Sequence, residues 1–205
     1  MKKYYPLTLA AMFNFFIAFN IFFMAQATQA RSLKGKIIVS DNENIYLIRK
    51  NFKLKVTTKD PQIAQVFKKL KNNDYISVEG EVISTDLVVS SITFVGLKEL
   101  LGLWQSQHGT CFYFTNYTQF KTFTPQLNSG CSLKMISTIN QEETLLDYKY
   151  VITPSKDRWN IVISKEQDQY LAEYDNTNSM IKKLKIFDSE TGEMTSTLVL
   201  RPITE

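Results

Sequence analysis

Residues 34–96 carry five short runs rich in apolar residues that predict β-strands, and the second and third of them alternate apolar and polar positions with the period 2 of a half-buried strand. The runs are KGKIIVS (34–40), IYLIRK (45–50), FKLKVTT (52–58), DYISVEGEVIS (74–84) and LVVSSITFVG (87–96). Between the third and fourth runs, Asp60-Pro61 provides an N-cap and a first helical residue, and apolar residues then recur on one helical face. The order is therefore strand, strand, strand, helix, strand, strand.

This order and length resemble the OB-fold, a five-stranded barrel with a helix between its third and fourth strands. The phrase NNDYISVEGEV fits the resemblance, because Gly80 lies where such a barrel needs a sharply coiled strand. The resemblance implies a ligand face on the second and third strands. The alternative to a ligand face is an ordinary solvated surface of the barrel. We expect Phe52, which alternates with the lysines, to point inward. Its candidate binding residues are Tyr46, Lys50, Lys53 and Lys55.

A second pattern begins near residue 98, where strand-like runs follow one another at short spacing. The runs are CFYFT (111–115), QFKTF (119–123), LKMIST (133–138), LDYKYVIT (146–153), RWNIVIS (158–164), QYLAEYD (169–175), MIKKLKIFD (180–188) and MTSTLVLR (194–201). Many short strands joined by turns predict an antiparallel meander, either a barrel or a sandwich. The fold class expected for the whole chain is mostly β: a small OB-like barrel with one helix, then the meander.

Gly102-Leu103-Trp104 near the start of this meander, Asp147-Tyr148 in its middle and Arg201 near its end resemble lipocalin motifs. The resemblance implies a barrel around a ligand cavity, closed where Arg201 packs across Trp104. The segment is shorter than a full lipocalin, so we expect a small cavity or none. The alternative is that Trp104 is a core aromatic and Arg201 a surface residue.

The N-terminus has the pattern of a bacterial secretory signal peptide. Met1-Lys2-Lys3 is followed by an apolar stretch and then by small residues up to Ala30. We expect cleavage after Ala27 or Ala30 and a periplasmic or secreted mature protein without a stable membrane span; the alternative is an uncleaved anchor. The predicted organisation is a signal peptide (1–30), an OB-like domain (31–97) and a lipocalin-like barrel domain (98–205).

Charge weakens the case for a nucleic-acid partner. Cleavage of the predicted signal peptide would take away two of the 24 Lys and Arg residues and none of the 20 Asp and Glu residues, which leaves the mature chain with a net charge of +2. A chain this close to neutral has no general attraction for polyanions.

The chemistry of the chain argues for binding rather than catalysis. Cys111 and Cys131 are the only cysteines, and an even count in an exported chain predicts a disulfide. A cysteine nucleophile beside His108, the only histidine, is the alternative. The sequence contains no nucleophile elbow and no phosphate-binding glycine loop, so we expect no enzyme, metal or cofactor.

Two functional hypotheses follow. The first is an exported binding protein of the bacterial envelope, whose exposed strand faces hold a protein, a glycan or another envelope component. The second is a carrier of a small apolar ligand such as a lipid. An apolar cavity in the second barrel would support the carrier, and a core filled by Phe112, Phe114, Trp159 and Ile161 would oppose it. Candidate anchors for the first hypothesis, which could instead pack within a sheet, are Tyr148, Tyr150, Tyr170 and Tyr174.

Overall fold

Strands dominate the part of the chain that the computed structural model describes. The described residues are 31–40, 44–125, 130–138, 145–155, 158–175 and 181–203. Within them lie 13 strands, two α-helices and one short 3₁₀ turn. The mostly-β fold class is thus confirmed.

The first five strands form a small barrel. Its neighbours run in the order β1-β2-β3-β5-β4, with β4 returning beside β1, and β3 pairs with β5 in parallel. This is the predicted five-stranded arrangement. The strands are β1 (Arg31–Val39), β2 (Ile45–Arg49), β3 (Phe52–Thr57), β4 (Tyr75–Ile83) and β5 (Asp86–Gly96).

Helix α1 (Pro61–Lys69) lies between β3 and β4, as predicted. The Asp60 carboxylate accepts hydrogen bonds from two backbone N–H groups of the first turn, and Ile63, Val66 and Phe67 are buried. Gly80 allows β4 to bend closely over β5, because a Cβ at this position would lie 2.4 Å from the carbonyl oxygen of Val88. Local capping and one close backbone approach therefore shape this barrel.

The next eight strands form a closed up-and-down barrel. Each strand pairs antiparallel with its neighbours in the chain, and β13 pairs with β6 to complete the ring. This decides between the expected barrel and sandwich. The strands are β6 (Gly102–Ser106), β7 (Cys111–Asn116), β8 (Gln119–Phe123), β9 (Leu146–Pro154), β10 (Trp159–Lys165), β11 (Asp168–Asp175), β12 (Lys182–Phe187) and β13 (Met194–Pro202).

The segment LKMIST, predicted to be a strand, is instead helix α2 (Leu133–Thr138). The prediction is wrong because β8 and β9 pair directly with each other and leave no free edge between them. The helix covers the outside of the barrel, where Met135 and Ile136 pack with Leu103 and the Cys111–Cys131 disulfide. An apolar run can therefore be buried against a sheet without joining it.

A partly buried polar cluster lies where the two barrels meet. Glu99, in the connecting 3₁₀ turn (Lys98–Leu100), accepts hydrogen bonds from Lys71 at 2.9 Å, Tyr174 at 2.9 Å and Lys182 at 3.1 Å. Lys71 follows α1, whereas Tyr174 and Lys182 lie on β11 and β12. One backbone pair, Val95 with Ile152, also joins β5 to β9. Residues 32–205 form one compact unit, and the boundary predicted near residue 97 stays a prediction.

The predicted signal peptide and both predicted cleavage sites lie in residues 1–30, outside the described residues. Among the helices that are described, none is long and apolar enough to cross a bilayer. Export therefore stays a prediction.

Candidate ligand pocket

The eight-stranded barrel contains an apolar pocket of about 420 Å³. Inward-facing positions build it, because successive residues of a strand point to opposite faces of a sheet. Its lining residues are Thr110, Phe112, Phe114, Phe120, Thr122, Phe123, Thr124, Leu146, Tyr148, Ile161, Ile163, Tyr170, Leu184, Ile186 and Leu198.

Aromatic rings form one wall of the pocket. The ring of Phe120 stacks between Phe114 and Tyr148, with centroid separations of 4.9 Å on both sides. Phe120 and Tyr148 are almost parallel, at 4° between planes. The register explains the stack, because Phe114, Phe120 and Tyr148 are direct cross-strand partners on β7, β8 and β9. Branched aliphatic side chains of β10, β12 and β13 form the other wall.

Large side chains fill the opposite end of the barrel, next to the five-stranded barrel. Trp104, Trp159 and Tyr174 are all buried there. The indole N–H of Trp104 donates to the carbonyl oxygen of Leu100 at 2.9 Å, and the Lys69 ammonium of α1 lies 5.8 Å from the Trp159 ring centroid. The pocket therefore occupies one end of the barrel and a packed core the other.

The mouth of the pocket combines exposed apolar and hydroxyl side chains. Leu146 is 38% exposed and Tyr170 is 43% exposed, although both line the pocket. Thr110 and Thr124 add hydroxyl groups at the ends of β7 and β8. A ligand could enter here, past side chains that water already reaches.

No ionisable Asp, Glu, Lys, Arg or His side chain is among the residues that line this pocket. In the described ranges, no group of three or more His, Cys, Asp or Glu is arranged to hold a metal ion. The pocket offers apolar contact and neutral hydroxyl groups, which suit reversible binding of an uncharged group better than acid–base chemistry.

The predicted tyrosine anchors prove to be inward-facing. Tyr148 and Tyr170 line the pocket, whereas Tyr150 and Tyr174 are fully buried. The expected exposed position is therefore wrong for Tyr150 and Tyr174. Strand alternation is the reason, since each pair lies two or four residues apart on one strand and faces the barrel interior. The Tyr150 hydroxyl donates to the carbonyl oxygen of Asn116 at 2.9 Å, and burial raises its pKa.

The contact expected between Trp104 and Arg201 does not form. Strands β13 and β6 do close the barrel, but Arg201 lies opposite Gln105 and Trp104 lies opposite Pro202. Paired residues share a face of the sheet, so Arg201 points to solvent while Trp104 points inward. The alternative of a core tryptophan and a surface arginine is the one observed.

The candidate face of the first barrel is a mixed basic and aromatic surface. The Lys53 ammonium lies 4.2 Å from the Tyr46 ring centroid, and Lys55 is the direct cross-strand partner of Tyr46. Lys50 is exposed in the turn between β2 and β3. Phe52, expected to point inward, is 67% exposed, because it lies in the first position after that turn.

The Cys111–Cys131 disulfide is present, and neither cysteine is free. This confirms the predicted disulfide and removes the alternative of a cysteine nucleophile. His108 is exposed in the turn between β6 and β7.

No protein-family model, curated protein or solved structure matches this chain. The functional argument therefore depends on the pocket itself. Sequence reasoning named Phe112, Phe114 and Ile161 as interior residues but missed Phe120 and Thr122. The alternation in QFKTF contains the signal for both, since they lie two residues apart on one face of β8.

Proposed function

We propose that this protein is a non-enzymatic binding protein whose eight-stranded barrel holds one small apolar molecule. The observation that carries the proposal is the 420 Å³ pocket, with its aromatic and aliphatic walls and no charged lining. Apolar surface that water reaches inside a pocket provides a driving force for ligand burial.

The size of the pocket limits what it can hold. Ligand pockets range from about 300 to about 1,000 Å³, so a volume of 420 Å³ suits one small molecule rather than a two-chain phospholipid. The barrel's strand number and order are similar to those of lipocalins, which hold a ligand inside eight strands. This similarity supports the carrier role without establishing a family.

Export is part of the proposal. The signal-like N-terminus directs the chain to the periplasm or the exterior, and the disulfide is compatible with an oxidising compartment. A carrier in the envelope or outside the cell would keep an apolar molecule in solution between membranes.

A second candidate function is the binding of a glycan, protein or other envelope component by the first barrel. The observation that favours it is Phe52, which is 67% exposed next to the face that carries Tyr46 and Lys53. Exposed aromatic and basic residues are common in such binding faces. The two functions can coexist, since they use different barrels.

Binding in the pocket can be tested with N-phenyl-1-naphthylamine, an uncharged fluorophore that brightens in apolar surroundings. We expect saturable binding of one molecule per chain. The Ile186→Trp variant fills the pocket from β12 and should weaken binding at least about tenfold, because the probe loses its space. Fluorescence titration gives both affinities.

Val151→Trp is the matched control, because Val151 is 50% exposed on the outer face of β9. This variant should bind like the wild-type protein, and circular dichroism should show that both variants are folded. Equal binding by a folded Ile186→Trp variant, or no saturable binding by the wild type, would contradict the proposal.

A further inference from the structure

Thr122 is the most deeply buried polar residue of the pocket lining. It is 8% exposed and points inward, since its direct partners Phe112 and Leu146 also line the pocket. Its hydroxyl makes no hydrogen bond to the part of the chain that the structure describes. A hydroxyl can donate one hydrogen bond and accept two, so this group is available to a ligand.

The wall around Thr122 favours a flat, unsaturated ligand. Phe114, Phe120 and Tyr148 form a continuous stack of aromatic rings. Aromatic pairs gain energy from stacked or edge-to-face geometry beyond the burial of area. A rigid ring system also loses less conformational entropy on binding than a flexible acyl chain does.

The charges near the pocket do not select an anion. The Lys165 ammonium lies 5.9 Å from the ring centroid of Tyr148, which lines the pocket. Glu166 follows it in the hairpin turn, and Asp168 is its direct cross-strand partner, so acidic side chains flank this cation. Lys121, in the same surface region, is paired with Asp147 at 3.2 Å. Burial of a carboxylate or phosphate deeper in the pocket would leave it without a partner.

We propose that the barrel selects an uncharged aromatic or conjugated molecule carrying one hydroxyl or carbonyl group, which hydrogen-bonds to Thr122. This inference depends on the proposed function, because it names the ligand class of the same pocket. Thr122 is then the residue that sets specificity, and the ring stack provides the shape.

Isothermal titration calorimetry with four probes tests the inference: 2-naphthol, naphthalene, 2-naphthoate and 1-decanol. We expect 2-naphthol to bind best, with 2-naphthoate at least about tenfold weaker because its charge must be buried. The nearly isosteric Thr122→Val variant should bind 2-naphthol about fivefold more weakly, as expected for one lost neutral hydrogen bond, and naphthalene unchanged. Phe120→Leu should weaken naphthalene more than 1-decanol, since only the aromatic ligand loses a stacking partner.

Three results would overturn the inference while the carrier function stands. One is equal or better binding of 1-decanol; another is an unchanged 2-naphthol affinity in Thr122→Val. The third is stronger binding of 2-naphthoate, lost in a Lys165→Met variant, which would identify an anionic head group at the mouth. If none of the four probes binds but N-phenyl-1-naphthylamine does, the ligand class is again wrong. If that fluorophore also fails, the proposed function fails with it.

Discussion

Asp74 shows how one residue at the junction of the barrels can make stability depend on pH. It is 1% exposed, and its carboxylate accepts hydrogen bonds from the backbone N–H groups of Lys71 and Lys98, both at 2.7 Å. Burial raises the pKa of Asp74 from 3.8 to about 6, against the opposing effect of those two hydrogen bonds. The nearby Glu99 carboxylate raises it further, whereas Lys71 lowers it.

The raised pKa predicts that Asp74 weakens the fold as pH rises. Between about pH 4 and about pH 6 the native state binds more protons at this site than the unfolded state does. The contribution of Asp74 to the free energy of unfolding is therefore fully present below that window and lost above it. The change amounts to about 3 kcal/mol. Urea denaturation of the wild type and an Asp74→Asn variant, at about pH 3 and about pH 7, measures it.

The difference in unfolding free energy between the wild type and Asp74→Asn separates the effect of Asp74 from the effects of other carboxylates. The pKa of Glu99 shifts the other way: burial raises it, but Lys71, Tyr174 and Lys182 together lower it below its usual value. The free energy of unfolding of the wild type should therefore fall relative to Asp74→Asn as pH rises. A constant difference across this range would mean that Asp74 has an ordinary pKa in the folded protein.

At the residue scale, the helix cap and the disulfide were easier to predict from the sequence than the burial of aromatic side chains. Asp60 as the helix N-cap and the pairing of Cys111 with Cys131 follow from local chemistry. The exposure of Phe52 and the burial of Tyr174 do not follow from local chemistry, because the exposure of an aromatic residue depends on where the strand ends and which way the sheet curves.

At the scale of elements, the segment between β8 and β9 depends on its disulfide more than on its own helix. Helix α2 has six residues, too few to be stable alone, and it packs outside the barrel beside Cys131. The strand-like runs of the sequence match 12 of the 13 strands, miss β6 and misassign LKMIST, because a short apolar run has the same composition in either structure.

Removal of this disulfide should destabilise the fold and spare the pocket. The cysteines are 20 residues apart, so the double variant Cys111→Ala/Cys131→Ala should lose about 3 kcal/mol of unfolding free energy. Probe affinity should change less than about twofold, since both cysteines pack on the outer face of the barrel. Chemical denaturation and fluorescence titration measure the two effects.

Wild-type protein treated with a reductant provides the control, because it should unfold at the same denaturant concentration as the double variant. A loss below about 1 kcal/mol would show that the loop is held by its apolar contacts instead. A large loss of probe affinity would show that the loop shapes the pocket mouth.

At the scale of the whole molecule, two barrels and their order were predictable, whereas the pocket was not. Strand order follows from the run of hairpins along the chain. Whether a barrel is filled depends on how side chains from eight strands meet, and here Trp104 and Trp159 fill one end while the ring of Phe120 leaves space at the other. From the sequence, an apolar cavity and a filled core were both open for this barrel.

The most direct test of the account is where an apolar molecule binds. The measurement is a set of intermolecular nuclear Overhauser effects between N-phenyl-1-naphthylamine and the wild-type protein. The account predicts contacts from the probe to the ring of Phe120 and the methyl groups of Ile163, inside the eight-stranded barrel. Contacts to Phe52 and Ile83 instead, the two most exposed large apolar residues of the first barrel, would contradict it.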